Sequence, residues 1–196
     1  MDDAFTLLRH AADLLPRSAV AESGATADDV DEYIEHQEWE TALALLLDVA
    51  DVCRLPESCW EMLAEAARQM ALGRTRRWCE WRRQETVHGT VRARLTLRST
   101  EEGGRRTPFA GDGRLRPLWD LAPGEPNAEQ ALHVAVIWVE SARELGPGET
   151  ADIRLAPLRP EHWRKRDLKP GDTITMHEGR PAVGTATITE ILPPGV

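Results

Sequence analysis

The chain has 196 residues, 41% hydrophobic and 29% charged, a globular composition that argues against a disordered, collagen-like or membrane protein. Its longest unbroken apolar runs, 42–47 and 134–139, are six residues each, whereas a bilayer span takes roughly 20; no membrane partner is expected. The net charge of −9 is unevenly spread: residues 1–65 hold 3 Arg against 16 Asp and Glu, 66–87 hold 6 against 2, and 88–196 hold 15 basic against 15 acidic.

The opening Met1-Asp2-Asp3 lacks the positive charge and apolar stretch of a secretory signal, so the expected location is the cytoplasm. Cys53, Cys59 and Cys79 form no CxxC pair, which predicts free thiols and no metal.

The first seventy residues read as short amphipathic helices. Ala4, Leu7, Leu8, Ala11, Leu14 and Leu15 share one helical face, closed by Pro16. Thr26 and Asp29 have the spacing of a capping pair ahead of Val30, Tyr33 and Ile34. Trp39, Ala42, Leu43, Leu46 and Ala50 make a third stripe. Pro56 introduces a fourth with Trp60, Leu63, Ala64, Ala67, Met70 and Ala71 inward, and Gly73 is the expected stop. Four such stripes can bury one another in an antiparallel bundle.

Beyond residue 87 the period changes to two: Val91, Ala93, Leu95 and Leu97 alternate with Arg92, Arg94 and Thr96. Further strands are expected over 115–121, 132–140, 151–158, 173–178 and 182–191, with glycine and proline turn signals between them. The predicted fold class is α+β in two domains: a four-helix bundle over 1–73, a helix extension or linker over 74–86, and a six-stranded antiparallel Greek-key β-barrel over 87–196.

The residues argue against catalysis. Neither Lys165 nor Lys169 follows a glycine, so there is no P-loop, and no NKxD motif is present; the protein is not expected to be a GTPase. The run Gly111-Asp112-Gly113-Arg114-Leu115-Arg116 places arginine where a dinucleotide fingerprint needs its third glycine. The six histidines are widely separated and no GxSxG elbow presents a serine. No catalytic residue, metal ligand or cofactor is predicted. Trp60, Trp119, Trp138 and Trp163 read as packing residues.

Two features point to binding. Asp28, Asp29, Asp31, Glu32, Glu35, Glu38 and Glu40 put seven carboxylates within thirteen residues, a field that steers a basic partner. The first six of these are the candidate partner-binding residues. The stretch 74–83 combines Arg74, Arg76, Arg77, Arg82 and Arg83 with Trp78 and Trp81. That pairing suits a nucleic-acid contact, guanidinium to phosphate and indole to base, or else a helix that packs between domains.

The segment 30–43, with Glu38-Trp39-Glu40-Thr41-Ala42-Leu43 at its centre, resembles the helix, acidic turn and E-x-x-x-A-L core of bacterial Maf-type immunity proteins, with Gln37 where that family turns on glycine. The likeness spans about residues 3–72 and implies binding to a partner toxin. The runs Glu102-Gly103-Gly104-Arg105-Arg106-Thr107-Pro108-Phe109, Arg116-Pro117-Leu118-Trp119, Leu145-Gly146-Pro147-Gly148-Glu149-Thr150-Ala151 and Glu178-Gly179-Arg180-Pro181-Ala182-Val183-Gly184-Thr185-Ala186 resemble the third, carboxy-terminal β-barrel of elongation factor Tu over about 88–192. The chain departs from that pattern at Val183-Gly184-Thr185-Ala186, where the family has a second glycine, and in an insertion region over 128–130. The resemblance implies that Gly103, Gly104, Arg105, Arg106 and Thr107 lie where that barrel meets the T stem of aminoacyl-tRNA or a neighbouring domain. The factor's nucleotide-binding and second domains have no counterpart here.

Together these readings predict a non-enzymatic binding protein. Its expected partner is a protein, either a toxin or a component of translation, held by the acidic helical face, with the barrel as a translation-factor mimic. The alternative is a tRNA- or RNA-binding module acting through Arg74, Arg77, Arg105 and Arg106. Neither membrane nor DNA is an expected partner.

Overall fold

Asp3 opens the first helix, α1 (Ala4–Ala12), its Oδ1 accepting a 2.8 Å hydrogen bond from the backbone N–H of Thr6. Helix α2 (Ala27–Glu35) opens on the predicted capping box: the Thr26 hydroxyl accepts from the Asp29 N–H at 3.3 Å, and the Asp29 carboxylate accepts from the Thr26 N–H at 2.8 Å. Helices α3 (Trp39–Asp51), α4 (Glu57–Gln69) and α5 (Gly73–His88) follow. Helix α1 packs on α4 and α2 on α3, burying Leu8, Leu43, Leu46, Trp60 and Leu63 at their centre.

The computed structural model describes residues 2–123, 132–140 and 142–195; the departing region over 128–130 lies outside them. The chain divides into two compact units, Met1–Val87 together with Gly195–Val196, and His88–Pro194. Among the described residues no helix is long and apolar enough to cross a membrane.

Helices α2 and α4 stop in the same way. After α2, Glu38 N–H bonds the Tyr33 carbonyl at 2.9 Å and Gln37 N–H bonds that of Ile34 at 3.1 Å. After α4, Leu72 N–H bonds the Ala67 carbonyl at 2.8 Å and Ala71 N–H bonds that of Arg68 at 3.1 Å. These are paired Schellman closures, a motif that usually places glycine at the left-handed position. Here Gln37 (φ 61°) and Ala71 (φ 59°) occupy it. The fourth helix therefore ends before the expected Gly73, which instead begins α5, a helix of its own.

The second unit is a closed antiparallel barrel of β1 (Thr90–Leu97), β3 (Leu118–Asp120), β4 (Leu132–Val139), β6 (Thr150–Pro157), β7 (Thr173–His177) and β8 (Ala182–Leu192), in the order β1-β6-β4-β3-β7-β8. Strands β3, β4 and β6 are consecutive neighbours in the barrel and β1 lies beside β6, which is a Greek-key crossing. The short β2 (Phe109–Ala110) and β5 (Glu144–Leu145) pair separately. Registers such as Val91↔Leu155, Leu95↔Ala186, Ile137↔Leu155 and Trp119↔Met176 bring alternate residues inward, as period two requires. Leu95, Trp119, Ile137, Ile153, Leu155 and Ile174 are fully buried there. Beside this core Glu140 accepts from Arg92 Nη2 at 2.9 Å and Arg154 Nε at 2.5 Å, joining β1 to β6. The short helix α6 (Pro160–Arg164) follows β6 and buries Trp163.

Candidate functional site

The seven acidic residues of the helical unit do different jobs. Asp29 serves the capping box, and the bonds from Thr26 hold its carboxyl below the usual range. Asp31 and Asp28 face Arg17, whose Nη1 lies 2.5 Å and 3.2 Å from their oxygens. Glu32, Glu35, Glu38 and Glu40 are exposed and have no ion-pair partner among the described residues. They run from the last turn of α2 through the Gln37 closure into the first turn of α3. The left-handed residue thus sets two short rows of carboxylates on either side of one bend.

Arg76, Arg82 and Arg83 of the arginine-rich helix α5 engage carboxylates of their own unit. Arg82 is ion-paired with Asp51 and its Nε lies 2.8 Å from Glu85 Oε2, while Glu85 also accepts from Trp81 Nε1 at 2.7 Å. The Arg82 guanidinium stands 4.6 Å from the Trp60 ring centroid and 5.5 Å from that of Trp78, a cation–π arrangement strengthened by burial. Arg83 Nη1 reaches Glu61 at 3.0 Å, and Arg76 Nε is 3.5 Å from Glu80. Arg74 and Arg77 are half-buried on the same helix and are not free cations.

Three of the four motif runs of the barrel meet at one place. Gly104 N–H bonds the Ser99 carbonyl at 2.8 Å, and Glu102 closes the loop by accepting from Ser99 N–H at 3.0 Å, which lowers its pKa. A Cβ on Gly104 would lie 2.1 Å from the Arg98 carbonyl oxygen, so only glycine fits; Gly103 has φ 80° but open space around it. The same Arg98 carbonyl accepts from Gly148 N–H at 3.2 Å, and Arg98 N–H bonds the Val183 carbonyl at 2.9 Å. Arg105 is ion-paired with Glu178 in the β7–β8 turn, lies 5.2 Å from the Phe109 ring centroid and donates from Nε to the Thr107 carbonyl at 3.2 Å. Arg105 thus braces the loop, and Arg106 is its exposed cation.

Sequence reasoning missed a further feature of the second unit, a cavity of about 340 Å³ lined chiefly by Val91, Pro157, Pro160, Trp163, Ile191 and Pro193. Gly89 (φ 78°) permits it. A Cβ there would sit 2.5 Å from the Leu192 carbonyl oxygen, so β1 and the end of β8 can converge only on glycine. At its rim Arg164 Nη2 donates to the His88 carbonyl at 3.3 Å, and Asp167, also at the rim, faces Lys169 at 3.1 Å. The prolines at 157, 160, 193 and 194 were its signal in the sequence, legible only once topology brings the two segments together.

Among the described residues no cluster of three metal-ligating side chains occurs. No protein-family model matches the chain, and no curated protein matches it.

Proposed function

We propose that this chain is a non-enzymatic binding protein whose acidic helical unit docks a basic protein partner, a toxin or a component of translation. In this reading 1–73 is an immunity-like four-helix domain, 74–86 its helix extension, and 87–196 a barrel akin to the third domain of elongation factor Tu, offering a second contact through the loop at Gly103–Thr107. The observation that supports the reading most is the set Glu32, Glu35, Glu38 and Glu40: exposed, adjacent and without an ion-pair partner among the described residues, in a unit where Arg82 and Arg83 answer Asp51 and Glu61. Two weak contacts on one chain reinforce each other.

The experiment is to mix the protein with the product of the adjacent gene and titrate salt. A complex at low salt that weakens as salt rises supports the reading; no complex at low salt removes it. The RNA-binding alternative draws on Arg74, Arg77, Arg105 and Arg106. It predicts a tRNA gel shift with a steep salt slope, whereas the protein-docking reading predicts no shift.

A further inference from the structure

The cavity beside α6 has the size and the mainly apolar lining of a small-molecule site. Its volume of about 340 Å³ lies in the range of small-molecule sites, which are apolar with few polar groups. Its walls are mainly proline, isoleucine, valine and an indole, with His88, Thr90, Arg164 and Asp167 as the polar lining. Two polar groups have unused capacity. Trp163, only 4% exposed, has no acceptor for its indole N–H among the described residues, and a buried donor left unsatisfied is costly. Arg164, exposed at the rim, donates to the neutral His88 carbonyl but faces no carboxylate among the described residues, whereas the charge of Asp167 is answered by Lys169.

We propose that this cavity binds a small arene carboxylate: a flat apolar ring system between Trp163 and the prolines, with its carboxylate on the Arg164 guanidinium. A flat ring suits walls of indole and proline, which offer faces and few hydrogen bonds. The anion suits a cation that has only a carbonyl for company, because guanidinium–carboxylate pairs are charge-assisted and bidentate. The site is independent of the acidic helical surface.

The probe is naphthoate, with naphthalenemethanol as its uncharged analogue, titrated into the full chain by calorimetry and by NMR of the tryptophan indole N–H signals; Trp163→Phe assigns the signal of interest. The expected result is saturable naphthoate binding that moves the Trp163 indole signal. Arg164→Gln should weaken naphthoate about tenfold, the effect of losing one charge-assisted bond, and leave naphthalenemethanol unchanged. Absence of saturable binding at millimolar naphthoate, an unmoved Trp163 signal, or equal affinity in Arg164→Gln would each overturn the proposal.

Discussion

The guanidinium of Arg82 lies 4.6 Å from the ring centroid of Trp60 while pairing with Asp51. This contact makes α5, the most basic segment of the chain, a packing element of the helical unit. Removing one member of a buried pair strands the other charge. Arg82→Met takes the cation from Asp51, 32% exposed, and from Glu85, 7% exposed, and should cost about 3 kcal/mol, the low end for such a loss. Urea unfolding followed by far-ultraviolet circular dichroism measures it. A cost near zero would show that the pair contributes nothing.

The two loop glycines are needed for different reasons, and alanine separates them. Gly104→Ala forces a Cβ to within 2.1 Å of the Arg98 carbonyl oxygen, a clash with backbone that should cost about 3 kcal/mol. Gly103→Ala meets nothing, and its penalty is only that of a left-handed φ, about 1 kcal/mol. Thermal unfolding of the two variants should rank Gly104→Ala as the less stable by a clear margin; the reverse order would contradict the loop geometry.

Gln37 occupies the position of a Schellman closure that glycine usually fills. Gln37→Gly should therefore stabilise the helical unit by about 0.5–1 kcal/mol, the left-handed penalty less glycine's greater unfolded freedom. Chemical denaturation gives the sign directly, and a destabilised variant would contradict the assignment.

The sequence made some of this architecture plain and concealed the rest. Strand β1 was legible because its inward residues alternate, at Val91, Ala93, Leu95 and Leu97, and β4 because 134–139 is an unbroken apolar run bounded by turn signals. The strand expected over 115–121 shrinks to Leu118–Asp120, since Pro117 has no N–H to give a ladder. Strands β2 and β5 have two residues each, too few to show a period. The Thr26–Asp29 cap was readable from spacing, whereas the α4 closure at Ala71 was not, because nothing about an alanine signals positive φ. Site residues were legible by type only. Charge identified Asp28, Asp31 and Arg105, but only the fold shows that Arg17 and Glu178 already engage them.

His133 and His162 meet edge to face, ring centroids 5.6 Å apart. Burial first, then the charges of His162 and Arg166, push the His133 imidazole below its ordinary 6.5, with Asp120 partly opposing them. The unfolded chain takes up this proton more readily than the folded one, so stability falls as pH drops from about 6.5 toward the folded value. NMR titration should place the His133 midpoint below 6.5, and His133→Gln should flatten that part of the stability curve. A midpoint at or above the ordinary value would contradict this.

The acidic surface is tested most directly by titrating the product of the adjacent gene into the wild-type chain and into a variant carrying Glu32→Gln, Glu35→Gln, Glu38→Gln and Glu40→Gln, at low and high salt. The docking account predicts that the variant binds at least about tenfold more weakly at low salt and loses most of its salt dependence, since the released attraction is electrostatic. Equal affinities for the two proteins at low salt, with the same salt slope, would contradict it.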